Sequence, residues 1–101
     1  QMSVPGLDMP ISFTSTGIKE ALNQPHKYLL EKNEAVRYIK SLLEKGNYVR
    51  FDPDVKDNQM VKGYHYYKIA INTEPSYVVI RELKPGELMF YSIVEQIKKK
   101  E

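Results

Sequence analysis

The chain has 101 residues, 42% hydrophobic and 28% charged, the length and composition of one ordinary globular domain. It has no cysteine, which excludes a disulfide framework and thiolate chemistry. A formal net charge of +2 is too small to argue for nucleic acid by itself, and no apolar run approaches the roughly 20 residues that span a bilayer.

Residues 1–10 carry Pro5, Gly6 and Pro10 without any period and read as an irregular lead-in. Ser15 and Thr16 are good N-caps for a helix beginning near Gly17. Ile18, Ala21 and Leu22 share one helical face, and Pro25 should end that helix near Asn23–Gln24. Tyr28, Leu29 and Leu30 can add a further turn. Asn33 is then a natural N-cap, with Glu34 at the positive helix terminus. Ala35, Val36, Ile39, Leu42 and Leu43 form a stripe that predicts one helix over 34–45, closed by Lys45 and a left-handed Gly46. Asn47–Phe51 reads as a short strand, followed by a polar loop from Asp52 to Gln59. A strand over 60–71, a turn at Thr73–Ser76, a strand over 77–83, a tight turn at Lys84–Glu87 and a strand over 88–94 complete the chain. Residues 98–101 form a charged tail. The expectation is α+β: two N-terminal helices packed on a four-stranded antiparallel meander, one domain over 11–97.

The strands contain polar, chemically capable residues where apolar ones would be routine. If Pro85-Gly86 closes a two-residue loop, Leu83 opposes Leu88, Arg81 opposes Phe90 and Val79 opposes Ser92. If Ile71 opposes Tyr77, His65 and Tyr67 join the face of Arg81 and Ser92. A slip of one residue replaces them with Tyr66 and Lys68. Neither reading decides which face meets the helices.

Only two histidines occur, His26 and His65, so a metal site has little to draw on. No glycine-rich phosphate loop and no nucleophile elbow is present. What the strands do offer suits a phosphodiester. His65 can act as general acid or base. Arg81 and Lys68 can bind phosphate and stabilise charge. Ser92 or Tyr67 can orient the phosphate, and Tyr64, Tyr66, Tyr67 and Tyr91 can stack bases. His26 reads as a solvent-facing residue near a helix end.

Three segments carry a resemblance. Ile11-Ser12-Phe13-Thr14-Ser15-Thr16-Gly17-Ile18-Lys19-Glu20-Ala21, Tyr64-His65-Tyr66-Tyr67-Lys68-Ile69 and Phe90-Tyr91-Ser92-Ile93 are similar to modules of phage and conjugative-element polyvalent proteins. Those modules are assigned to the barnase–EndoU–colicin–RelE-like nuclease superfamily. The resemblance implies a cytoplasmic endoribonuclease-like domain that cleaves RNA across an open sheet face, without metal or other cofactor and without a membrane. It places catalytic roles on His65, Lys68, Arg81 and Ser92, with Lys19 of the first helix as a further contact. It also implies an RNA substrate and a protein partner such as an immunity protein. The alternative is a non-catalytic module of a larger phage or transfer protein, holding protein or nucleic acid on a tyrosine-rich sheet.

Overall fold

The computed structural model describes residues 6–7, 9–23, 26–54, 60–84 and 86–97. It is α+β, with three helices and a mixed five-stranded sheet. The elements in chain order are β1 (Ile11–Ser12), α1 (Ser15–Asn23), α2 (Leu29–Arg37), α3 (Ile39–Lys45), β2 (Asn47–Pro53), β3 (Val61–Ile71), β4 (Glu74–Leu83) and β5 (Leu88–Val94). The sheet order is β1-β5-β4-β3-β2. The expected four antiparallel strands are all there. The fifth, β1, was read only as chain leading into the first helix; it pairs parallel with β5 through Ile11 and Leu88. Two residues are too short to show a period, but Ile11 is fully buried.

The second correction concerns the helices. Thr14, rather than Ser15 or Thr16, caps α1: its Oγ1 accepts the Gly17 N–H at 3.0 Å. Gly17 lies so close to β5 that a Cβ there would collide with the Phe90 carbonyl. The single helix expected over 34–45 is two helices, broken at Tyr38 (φ −112°, ψ 23°), and the helical stretch starts earlier, at Leu29. Lys32 lies in the added first turn. It is fully buried, and its Nζ donates to the Ala21 and Leu22 carbonyls at 2.5 and 3.2 Å, closing the C-terminus of α1. Asn33 therefore lies inside α2. The apolar stripe survives the break, because Ala35, Val36, Ile39 and Leu43 are all buried. Gly46 is extended rather than left-handed (φ −76°, ψ 165°).

Three turns and bulges set the strand register. Asn72 and Thr73 both take positive φ (52° and 64°), as a two-residue hairpin turn matched to strand twist requires. Ile71 therefore opposes Glu74, not Tyr77, and the strand includes Pro75, which read as part of a turn. Pro75 is tolerated because β5 begins to pair with β4 only at Tyr77. At the next turn the Gly86 N–H donates to the Leu83 carbonyl, and the Leu83 N–H donates to the Glu87 carbonyl, both at 2.8 Å. Gly86 has φ +97°; Pro85, with Pro25, the distal part of the 52–59 loop and the 98–101 tail, lies outside the described residues. The hairpin is as expected, but its pairs are Glu82–Leu88 and Arg81–Met89 rather than Leu83–Leu88 and Arg81–Phe90. A bulge at Tyr91 then restores Val79–Ser92.

The helices pack on the face that carries Tyr67, Ile69, Ile71, Val78, Ile80, Phe90 and Ile93, and with them enclose the core. None of the described helices covers the opposite face.

Candidate binding face

Strand parity and the ladder place each candidate. On the open face Lys68 pairs with Tyr77, Tyr66 with Val79, and Tyr64 with Arg81. Val79 pairs onward with Ser92, and Arg81 with Met89. On the helix-covered face His65 pairs with Ile80 and Tyr67 with Val78. The structure has neither register considered from the sequence: Ile71 opposes Glu74, three residues from Tyr77, and this odd shift puts Tyr66 and Lys68, not His65 and Tyr67, on the face of Arg81 and Ser92. His65 and Arg81 lie on opposite faces of the sheet, which corrects the expectation that they converge. The physical cause is the two-residue turn at Asn72–Thr73, which shifts β4 against β3.

Arg81 is the centre of the open face. Its guanidinium carbon lies 3.9 Å from the centroid of the Tyr91 ring, a stacked cation–π contact. Tyr64 stands beside that ring at 6.0 Å. Tyr91 follows Phe90 onto this face by ordinary strand alternation, and the bulge there keeps Ser92 on the same face, opposite Val79. Arg81 forms no ion pair among the described residues, and its buried Nε has no acceptor there. A second arginine–tyrosine couple lies two strands away. Arg50 pairs with Tyr66 across β2 and β3, with its guanidinium carbon 5.7 Å from that ring. Its Nε donates to both Asp52 oxygens, at 2.9 and 3.0 Å. Between the couples Val79 and Ser92 are only 6% and 2% exposed although none of the described helices covers them, and Val79 is not part of the helix-side core. Lys68 is exposed at this face. Burial and the nearby Asp52 push the Tyr66 hydroxyl up from its usual pKa, so Tyr66 stays neutral over the physiological range.

His65 belongs to a different constellation. It is 7% exposed, packed against Phe51 with the rings tilted by 47° and their centroids 4.7 Å apart. Its Nε2 lies 2.7 Å from Glu82 Oε1, and its Nδ1 lies 2.8 Å from the Tyr48 hydroxyl. Glu82 can only accept when ionised, so Nε2 carries a proton and donates to it. Lys62 completes the chain at 3.1 Å from Glu82 Oε2. Burial pushes the Glu82 carboxyl up, but hydrogen bonds from His65 and Lys62 outweigh it and leave the pKa below its ordinary value. Tyr67 is fully buried beside Tyr48, and burial pushes its hydroxyl up to about 12. Tyr67 is thus a core residue, not one placed to orient a ligand on the open face.

The remaining candidates lie elsewhere. Lys19 is exposed on α1, whose contacts are with the helix-covered side. His26 is half-buried, not solvent-facing. Its Nδ1 accepts the Tyr28 N–H at 2.8 Å and its Nε2 lies 3.0 Å from Ser76 Oγ. These residues wall a cleft of about 790 Å³ that also touches Arg50, Glu74, Tyr77 and Glu95. Sequence reasoning missed Arg50, Tyr48 and Glu82. Arg50 had a readable signal, an arginine two residues from an aspartate on one strand face; Tyr48 and Glu82 had none, because their partners come from other strands.

Among the described residues no group of three or more His, Asp or Glu is placed to hold a metal, and no helix is long and apolar enough to cross a membrane. No curated protein and no solved structure matches the chain. The family of large polyvalent protein-associated domain 3 matches residues 4–91, which takes in every element from β1 to the bulge of β5. The chain thus belongs to that family, a module of the polyvalent proteins of phage-type mobile elements.

Proposed function

We propose that this domain is a binding module of a larger polyvalent protein, and that it holds a polyanionic partner on its open sheet face without cleaving it. The observation that carries the reading is Arg81. Its Nε is shielded from water with no acceptor among the described residues, and no carboxylate there offsets its charge. With no carboxylate paired to it among the described residues, the Arg81 guanidinium can take an anionic acceptor at its outer nitrogens. The Tyr91 ring, 3.9 Å from the guanidinium carbon, holds the side chain in place, and a guanidinium can offer its outer nitrogens as a fork of two hydrogen bonds. Lys68 adds a mobile charge on the same face.

Catalysis by the expected route lacks its proton carrier on this face. Both imidazoles point elsewhere, His65 into the Tyr48–Glu82 network and His26 toward Ser76. Asp52 is engaged by Arg50. The function supported is therefore retention, not hydrolysis.

The test has two arms. On immobilised heparin, Arg81→Ala and Lys68→Ala should each elute at lower salt than the wild type, while His65→Ala elutes unchanged. Incubated with total RNA in chelator, the wild type should leave the RNA intact. Cleavage that disappears in His65→Ala would overturn the reading.

A further inference from the structure

We infer that the polyanion is a single-stranded nucleic acid, its bases on Tyr64, Tyr66 and Tyr91 and a phosphate on Arg81, with DNA and RNA accepted alike. This rests on the binding-face reading above and adds the ligand class.

The rings carry the argument. A polyanion without aromatic groups uses cations alone, and this face is poor in free cations. Arg50 is offset by Asp52 and Lys62 by Glu82, which leaves Arg81 and Lys68 among the described residues. Two phosphate contacts give only a weak, salt-sensitive grip, so stacking must supply most of the affinity for a tightly held strand. Tyrosine rings are plentiful and ordered. Tyr64 and Tyr66 are successive outward residues of β3, about 7 Å apart along the strand, and both are half-exposed. Each has a ring or guanidinium beside it that fixes its tilt, Tyr91 for Tyr64 and Arg50 for Tyr66. A row of rings with cations between them fits an extended strand whose bases are splayed and whose phosphates pass at intervals. Duplex cannot use it, because its base faces are already stacked inside.

Indifference to the sugar follows from the donor set. Ring faces read base faces, and a guanidinium reads phosphate; neither differs between DNA and RNA. A site that selects RNA presents an acceptor to the 2′-hydroxyl. Asp52, the carboxylate opposite Tyr64, is turned toward Arg50, whose Nε–H is shared between its two oxygens.

Fluorescence anisotropy with short labelled oligonucleotides of matched sequence tests this on the intact domain. Single-stranded DNA and RNA should bind within a few-fold of each other, and both much more tightly than duplex DNA. Tyr91→Leu and Tyr66→Leu should each weaken binding by about tenfold, while Tyr91→Phe, which keeps the ring, restores it. Arg81→Ala should lower the slope of log affinity against log salt by about 0.7. Circular dichroism shows whether each variant is folded. Duplex binding equal to single strands, or leucine variants with full affinity, would overturn the stacking inference and leave the polyanion reading standing. A tenfold preference for RNA would overturn the indifference to sugar. Folded wild type that binds neither heparin nor any oligonucleotide would sink the binding-face reading itself.

Discussion

Ile80 and Arg81 are adjacent in the chain, and the peptide between them separates the two polar constellations of the molecule. Ile80 opposes His65 over the core, whereas Arg81 opposes Tyr64 on the open side. The consequence for His65 is structural. His65→Ala deprives the buried Glu82 of one hydrogen bond and Tyr48 of another, and should cost about 1–3 kcal/mol in urea melts, with no change in binding on the open face. Glu82 gives the pH dependence. Its folded pKa lies below the ordinary 4.5, so the folded state binds fewer protons than the unfolded chain in that range. Its contribution is complete above pH 4.5 and is lost as pH falls through the folded value. The stability gap between wild type and Glu82→Gln should therefore be constant near neutrality and close progressively in acid. A gap that widened in acid would contradict the assignment.

The elements were legible wherever a period ran long enough. The stripe from Ala35 to Leu43 was read correctly as buried, because 3.6-residue spacing leaves a clear mark. The break at Tyr38 left none, since no proline or glycine stands there; the Tyr38 N–H turns to the Ala35 carbonyl and the helix ladder stops. Leu43 is fully buried in this layer, and Leu43→Ala should cost about 2–5 kcal/mol; a loss below about 0.5 kcal/mol would show the layer to be loosely packed. The sheet was harder to read. The alternation of β3 itself is visible in the sequence, but which of its faces meets Arg81 depends on a turn, and a single residue reverses it. Asn72–Thr73 was not recognised as that turn because Thr, a β-branched residue, is a poor occupant of positive φ. Thr73→Gly should accordingly stabilise the domain by about 1 kcal/mol, read as a shift of the urea midpoint at constant slope. Unchanged stability would mean that the hairpin carries no such strain.

At the scale of the whole molecule, three helices cover one face of a twisted sheet and leave the other to tyrosines and arginines. That asymmetry is what an antiparallel sheet permits. Here the uncovered face is not simply solvated, since Val79 and Ser92 are buried beneath its side chains. The polar residues needed for phosphate recognition were legible as residue types. Their division between the faces was not, and it separates a ligand platform from a hydrogen-bonded core. The measurement that tests this division most directly is an NMR titration of the labelled domain with a short single-stranded oligonucleotide. The backbone amides of Tyr64, Tyr66, Arg81 and Tyr91, and the Arg81 Nε–H, should shift saturably, while the His65 ring signals stay fixed. Shifts centred on His65, Tyr48 and Glu82, with the Arg81 Nε–H unmoved, would contradict the account.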